Sequence, residues 1–508
     1  MVSKKKILGS FKTFSQGILV LLLFGFIDLT SSKTGHNGFD PNELIWSVQF
    51  PNLGTLSSPR ATDFNGDGTL DIIIGAGRLE FQATDTAIVA INGKSGKIIW
   101  KRPTKDQIFG SALLLDITRD GVDEVIIGGR SATLQAINGT NGQLIWDFVE
   151  SNQLKEQVQI NYFNFYNAQL LPDLTGDGIP DLIVSNGGNV TKKPFDPNRP
   201  TGKILVLDAS NGKIIREVKM PDKKEIYHSI TLSNHSSTDE IEVVFGTGGE
   251  TIGGNLYIAR LRDILDGTLE KAQVLAISKN KGFIAPATWV DLNEDGIEDI
   301  VANAVEGIVY AFDGRTKEQL WKVKLPGTEI YSSPAVGLFT DDEIPDVFVN
   351  ANSGVWPDFT FCNYAMIDGA KGKLKYTEQF GSFQSSSPLV LDTNGDGAEE
   401  VLISDNRQRV DASGIKTFFT TISVIDFKQG VTKKDLLTPL GGNNISSTPW
   451  IGDLNGDKFL DIVFSHSDNL YRTYSFDGLR INLLKTNIPV ATPVKWGAYM
   501  GSSYNGRY

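Results

Sequence analysis

The residues best equipped for chemistry lie in Asp63-Phe-Asn-Gly-Asp-Gly-Thr-Leu-Asp71, where oxygen-bearing side chains fall at 63, 65, 67 and 71 and Gly68 marks the bend. Calcium takes six to eight oxygens at about 2.3–2.6 Å, and carboxylates at alternate positions of a tight loop, completed by a carbonyl such as that of Thr69, can converge on one ion. The loop departs from an EF-hand, because the β-branched run Ile72-Ile-Ile follows the ninth residue directly, with no bidentate Glu at a twelfth place and no flanking helix. Similar nonapeptides begin at Asp116, Asp173, Asp291, Asp392 and Asp453, each followed by an apolar run. A single loop of this kind reads equally well as an Asx turn that needs no metal. Repetition favours the metal, since crowded carboxylates repel one another unless a cation sits among them.

The elements that must carry these loops follow from their spacing. Loop starts at 63, 116 and 173 lie 53 and 57 residues apart, and the intervals from 173 to 291 and from 291 to 392 are about twice that. Each long interval holds a worn copy, His228–Gly246 and Ser332–Asn350. The unit comprises Ser57-Ser58-Pro59 with an apolar strand A, the acidic loop, strand B, strand C and a closing strand such as Lys97-Ile-Ile-Trp100. Eight units of this length and four short strands each predict an all-β single β-propeller of eight four-stranded blades, seven being the alternative, with the calcium loops between strands A and B. Ile45-Trp46-Ser47-Val48 resembles a closing strand and is expected to fasten the ring to the last blade, with Leu479–Lys485 and the tail packing around that seam. The hairpins before Trp100, Trp146 and Trp321 share an Asn/Asp-Gly turn, and each Trp is expected to pack between blades.

The domain plan is residues 1–32 as a signal peptide or N-terminal anchor, a linker over 33–44, and the propeller over 45–508 with its closing strand near 45–50 and a tail over 486–508. Lys4, Lys5 and Lys6 precede the short apolar run Gly17–Ile27 and then small polar residues, the layout of an export signal. The chain is therefore expected to be secreted, periplasmic or on the cell surface, with no transmembrane span beyond that possible anchor. A net charge of -12 argues against nucleic acid as a partner. The single cysteine, Cys362, rules out an intramolecular disulfide and a cysteine zinc cluster.

These acidic loops resemble those of FG-GAP (integrin α-type) and VCBS repeats, and the Trp-closed hairpins resemble those of quinoprotein-like (PQQ-like) propeller repeats. The first resemblance implies several structural Ca²⁺ ions. Their ligands would be Asp63, Asn65, Asp67 and Asp71 in the first loop; Asp116, Thr118, Asp120 and Glu124 in the second; and Asp173, Thr175, Asp177 and Asp181 in the third. The later loops would use Asp291, Asn293, Asp295 and Asp299; Asp392, Asn394, Asp396 and Glu400; and Asp453, Asn455, Asp457 and Asp461. Lys458 stands where the other loops bend at Gly, and the loops at 338–346 and 234–242 lack the full ligand set, so those two are expected empty.

Loops A–B and C–D of a blade share one face, which leaves the B–C and D–A connections to the other. Long aromatic connections crowd that second face: Tyr162, Phe163, Phe165 and Tyr166, then Phe195, then Trp356 and Phe359. Long loops on a rigid scaffold commonly carry function. The reading is a monomeric, exported, calcium-binding module for adhesion or scaffolding, whose partner is a protein or glycan held on the B–C/D–A face. The rival is an extracellular carbohydrate-active enzyme such as a calcium-dependent polysaccharide lyase, with Arg78, Arg130, His228 and Arg407 as channel-mouth candidates. A quinone-dependent dehydrogenase ranks below both, for want of a cysteine pair. His228 and Glu250 flank one worn blade, but a lone His beside a Ser-rich strand reads as structural, and no catalytic residue is assigned.

Overall fold

The computed structural model describes residues 43–155, 161–235, 237–356, 358–428, 430–490 and 493–508. The proposed leader therefore lies outside the described residues. Eight antiparallel sheets form eight blades of a β-propeller. Blade 1 runs through Arg60–Thr62, Asp71–Gly75, Thr84–Ile91 and Ile98–Thr104 as strands A to D. Blades 2 to 7 follow over 113–147, 164–219, 231–278, 288–324, 328–380 and 389–435. Short helices, Phe148–Ser151 and Leu261–Leu265 among the described residues, interrupt the pattern.

Burial follows from the stacking. B strands such as Asp71–Gly75 and Glu124–Gly128 are buried at every position, because a blade is covered by a neighbour on both faces. D strands at the rim are largely exposed, as Gln319–Lys324 is apart from its buried Trp321.

The eighth blade is assembled from both ends of the propeller. Trp450–Gly452, Phe459–Ser467 and Gly478–Pro489 supply strands A to C, and Glu43–Pro51 pairs antiparallel with the third from Glu43 opposite Lys485 to Pro51 opposite Gly478. Residues 479–485 are thus a strand within the blade rather than packing around the seam. The remaining segment, 493–508, packs Ala498 and Tyr504 into the core shared by blades 8 and 1 and enters the central channel, as described below.

Tryptophan docking joins successive blades. Nε1 of Trp100 donates to the Gly139 carbonyl, Trp146 to Ala209 and Trp321 to Gly369, each on the C–D hairpin of the next blade. Trp46 makes the same bond to Gly93, 2.7 Å, so the ring is closed by the contact that joins blade 1 to 2, 2 to 3 and 5 to 6. The rings rest on Gly96, Gly142 and Gly372, which hold φ of 69°, 73° and 63° and where a Cβ would come within 3 Å of the indole.

Candidate functional site

All six acidic nonapeptides span strands A to B and lie on one face. In the first, the Asp63 carboxylate accepts N–H bonds from Gly66 (2.7 Å) and Gly68 (2.9 Å), Asn65 Oδ1 accepts from Asp67, and Asp67 accepts from Thr69. Asp116, Asp173, Asp291, Asp392 and Asp453 cap their loops likewise, through Gly121, Gly178, Gly296, Gly397 and Lys458 N–H respectively. Fifth-position Asp120, Asp177, Asp295, Asp396 and Asp457 each accept from the residue two places on. At the third place Asn293, Asn394 and Asn455 accept as Asn65 does, whereas Thr118 Oγ1 donates to Glu124 and Thr175 Oγ1 to Asp173. Lys458 adopts φ 66° and makes the bend despite its Cβ.

The ninth residue behaves differently. Asp71, Glu124, Asp181, Asp299, Glu400 and Asp461 are buried, and each accepts the N–H of its loop's second residue, as Asp71 does from Phe64 at 3.1 Å. Asp71 and Asp299 also take the N–H of Gly93 and Gly314, tying the A–B loop to the C–D hairpin. Burial pushes the carboxyls of Asp71, Asp299 and Asp461 up to about 6 and that of Glu400 up to about 7. The worn loop of blade 6 retains this one device: Asp346 accepts from Gly369 N–H and Thr340 Oγ1. The ninth carboxylate is therefore a strut in its own right.

As a cation cradle the loops differ among themselves. Asp392, Asp396 and Glu400 bring one carboxylate oxygen each within 4.8 Å of one another, the one such group of three among the described residues. That donor set fits a hard cation. Elsewhere a basic side chain already sits against the fifth carboxylate: Arg315 on Asp295 at 3.0 Å and Lys485 on Asp457. Lys428 likewise reaches Asp396 at 3.3 Å.

Inside the ring, a girdle of hydrogen bonds joins the starts of the A strands. Backbone N–H of Ser58 donates to Ser111 Oγ, Ser111 to Asn167 Oδ1, Asn167 to Ser229 Oγ, Ser333 to Ser387 Oγ, Ser387 to Thr448 Oγ1, and Thr448 back to Ser58 Oγ. Blade 5 has Pro286 in this place, with neither N–H nor hydroxyl. Segment 493–508 fills the gap: the Tyr499 phenol reaches toward Ser229 and Ser333. The same segment hydrogen-bonds Val390, Ile451 and Trp289 along three A strands, stacks Tyr504 on buried Arg60 at 3.9 Å, and pairs Arg507 with Glu298 at 2.9 Å. It plugs the channel on the acidic-loop side.

The opposite end stays open, as a cavity of about 180 Å³ bounded by Phe109, Tyr166, Tyr227, Tyr331 and Tyr499 with Ser385 and Ser446. Two aromatic arcs edge it. Phe109, Tyr166 and Tyr227 follow one another at ring separations of 5.3 and 6.3 Å. Tyr331, Trp356 and Tyr474 form the other, with Trp356 5.5 Å from Tyr474 and Phe359 alongside. Three ion pairs sit among them: Arg130 with Glu80 (2.7 Å), Arg199 with Glu225 (3.0 Å), and Lys281 with Glu329. Tyr331 donates to Glu329 at 2.7 Å, and Arg199 also donates to Tyr227 at 3.1 Å. Glu250 is exposed on the B–C connection of blade 4, next to Gly249, which packs against the Tyr227 ring.

Of the four channel-mouth candidates, Arg130 is at the mouth. Arg78 is exposed on the B–C connection of blade 1. Arg407 is elsewhere, held across blade 7 by Asp405 (2.8 Å) and Asp435 (2.7 Å). His228 is fully buried beside Ser229, and burial pushes its imidazole down to about 3, so it stays neutral. Sequence reasoning missed Tyr227 and Tyr331, although a signal existed: Glu225-Ile-Tyr227 and Glu329-Ile-Tyr331 are the same tripeptide, each two residues before a girdle serine.

Residues 39–251 match the family model described as outer membrane protein assembly factor BamB. Human Protein FAM234B is 21% identical over 383 residues, 68% of this chain and 55% of that protein. An uncharacterized protein of Rickettsia conorii is 22% identical over 48% of this chain and 51% of its own length. The chain thus spans about half the length of these curated relatives. Among solved structures, quinohemoprotein alcohol dehydrogenase from Comamonas testosteroni superposes with a TM-score of 0.55 at 10% identity, over 88% of this chain and 76% of that one. The likeness is one of fold, a propeller of the PQQ-like type. No helix among the described residues is long and apolar enough to cross a membrane.

Proposed function

We propose that this chain is an exported, calcium-stabilised propeller that binds a partner protein or glycan at the channel mouth opposite its acidic loops. The observation that carries this reading is the blind recess itself, sealed at one end by 493–508 and edged at the other by half-buried aromatics. Such rings offer large contact area at low entropic cost. A lyase acting on acidic polysaccharide would need cations free to meet substrate carboxylates, yet Arg130, Arg199 and Lys281 are each already paired. Pull-down from surface extracts and a glycan array, run with wild type and with Trp356→Ala, test the reading. Ligands captured by the wild type and lost in the variant support it; ligands retained equally by both would refute it.

Calcium belongs to the same proposal as a strut. Asp392, Asp396 and Glu400 would hold the ion in blade 7 once Lys428 moves aside, and the matching residues of the other loops would do the same, with Arg315 and Lys485 displaced in blades 5 and 8. Bound calcium adds its binding free energy to folding, about 3 kcal/mol at a hundredfold excess over Kd. With an unfolding entropy of about 1 kcal/mol/K for a propeller of this length, chelation should therefore lower the thermal midpoint by roughly 3 °C for each ion held. An unchanged midpoint would remove metal from the account.

A further inference from the structure

Each blade places one side chain at the mouth, on the connection that enters its A strand and one or two residues ahead of the girdle position. Blades 1 to 6 give Leu56, Phe109, Tyr166, Tyr227, Ile284 and Tyr331. Blades 7 and 8 give Ser385 and Ser446. All of them line the cavity of about 180 Å³, above a floor that includes the girdle serines and Tyr499. Its wall is therefore divided into an apolar, largely aromatic arc over six successive blades and a hydroxyl sector over the other two. The hydroxyls are in want of partners. Ser385 Oγ, in a residue 8% exposed, has none, and no hydrogen bond engages Ser446 Oγ among the described residues. Below them Ser58, Ser111 and Ser387 accept N–H bonds in the girdle and donate to nothing among the described residues.

The lining holds neither a carboxylate nor a basic side chain among the described residues. A charged group taken into it would lose its water and gain no counter-charge. A purely apolar side chain would match the arc but leave the serine hydroxyls stripped of water and unpaired. A neutral pyranose answers both sectors, because the C–H bonds on the face of its ring pack against aromatic side chains while its hydroxyls accept from and donate to serine. Those hydroxyls also reproduce the bonds of the water that the sugar displaces.

Taking the mouth as the binding surface proposed above, we infer that this cavity receives one uncharged pyranose, the terminal residue of a glycan, with its apolar face toward the arc of blades 1 to 6 and its hydroxyls toward Ser385 and Ser446. At about 180 Å³ the cavity falls below the roughly 300–1,000 Å³ of sites for drug-sized ligands, so it admits one ring rather than a run of them. The closed floor makes the end of the glycan, not its middle, the part that enters.

The test uses the full chain and the methyl glycosides of glucose, galactose, mannose and N-acetylglucosamine in both anomers, with the uronic-acid and amino-sugar counterparts as charged controls, followed by saturation-transfer NMR and titration calorimetry. At least one neutral glycoside should bind, and its charged counterpart should bind at least tenfold more weakly. The double variant Ser385→Ala with Ser446→Ala should weaken the neutral sugar about tenfold yet keep the wild-type thermal midpoint, because neither hydroxyl has a protein partner to lose. Phe109→Ala should weaken it to a similar degree through lost stacking. Silence from every neutral glycoside, equal affinity for the charged counterpart, or wild-type binding by the serine double variant would overturn the inference. If the sugars are silent while the wild type still captures a protein that Trp356→Ala loses, the sugar inference falls and the mouth remains the binding surface. If Trp356→Ala changes no capture either, both readings fall.

Discussion

Single residues in this propeller separate into those that hold a loop and those that hold a blade. Asp63 and Asp67 face outward and cap their own turn, whereas Asp71 is buried and joins the turn to the hairpin behind it. Asp346 keeps the second role in a loop that has lost the first. Asp346→Ala should therefore destabilise by about 1–3 kcal/mol in urea unfolding, the cost of an orphaned buried donor, and by the same amount with or without chelator. His228 gives a pH signature. Its folded pKa of about 3 lies below the ordinary 6.5, so between these values the unfolded chain holds a proton that the native chain does not. Its contribution is complete above pH 6.5 and is lost on acidification at up to ~1.4 kcal/mol per pH unit. The buried ninth-position carboxyls pull the other way, because their raised values favour protonated native protein. The slope is accordingly read as the difference between wild type and His228→Asn, which should shrink to nothing above pH 7.

Elements show where the sequence was readable. Blade number, the A–B placement of the acidic loops and the docking of Trp100, Trp146 and Trp321 were legible because each repeats at one offset in the period. The girdle was half legible: Ser57-Ser58-Pro59 is visible, but its partners Asn167 and Thr448 are chemically different residues that only register aligns. Tyr227 and Tyr331 escaped because they sit in D–A connections of uneven length. Segment 493–508 has no counterpart in any blade, so no periodicity could place it in the channel. The strand Glu43–Pro51 illustrates the dependence of one element on another, since Trp46 there repeats the docking bond of Trp100. Trp46→Ala should cost about 3 kcal/mol, near the lower end of large-to-small changes because Trp46 is only half-buried, and should raise proteolysis first between blades 8 and 1.

At the scale of the whole molecule, the ring has one stopper and one opening. Trp496, Ala498 and Met500 are each about 1% exposed, so the stopper is part of the core rather than an appendage. Deleting 493–508 should lower the thermal midpoint and speed amide exchange at Ser58, Ser111 and Ser387, whose N–H groups face the channel; unchanged exchange would mean that the girdle seals itself.

The seam in blade 8 also sets an order of events in time. Residues 43–51 are made before any blade exists, and the strand that receives them, 478–489, is made after seven blades are complete. At ordinary synthesis rates the first strand waits on the order of tens of seconds with its edge unpaired. Until its partner arrives, no arrangement of the chain is a closed circle. Maturation of this protein is thus gated by its last blade, and a chain stalled before residue 478 would leave the synthetic machinery with an open arc and a loose, pairing-competent strand.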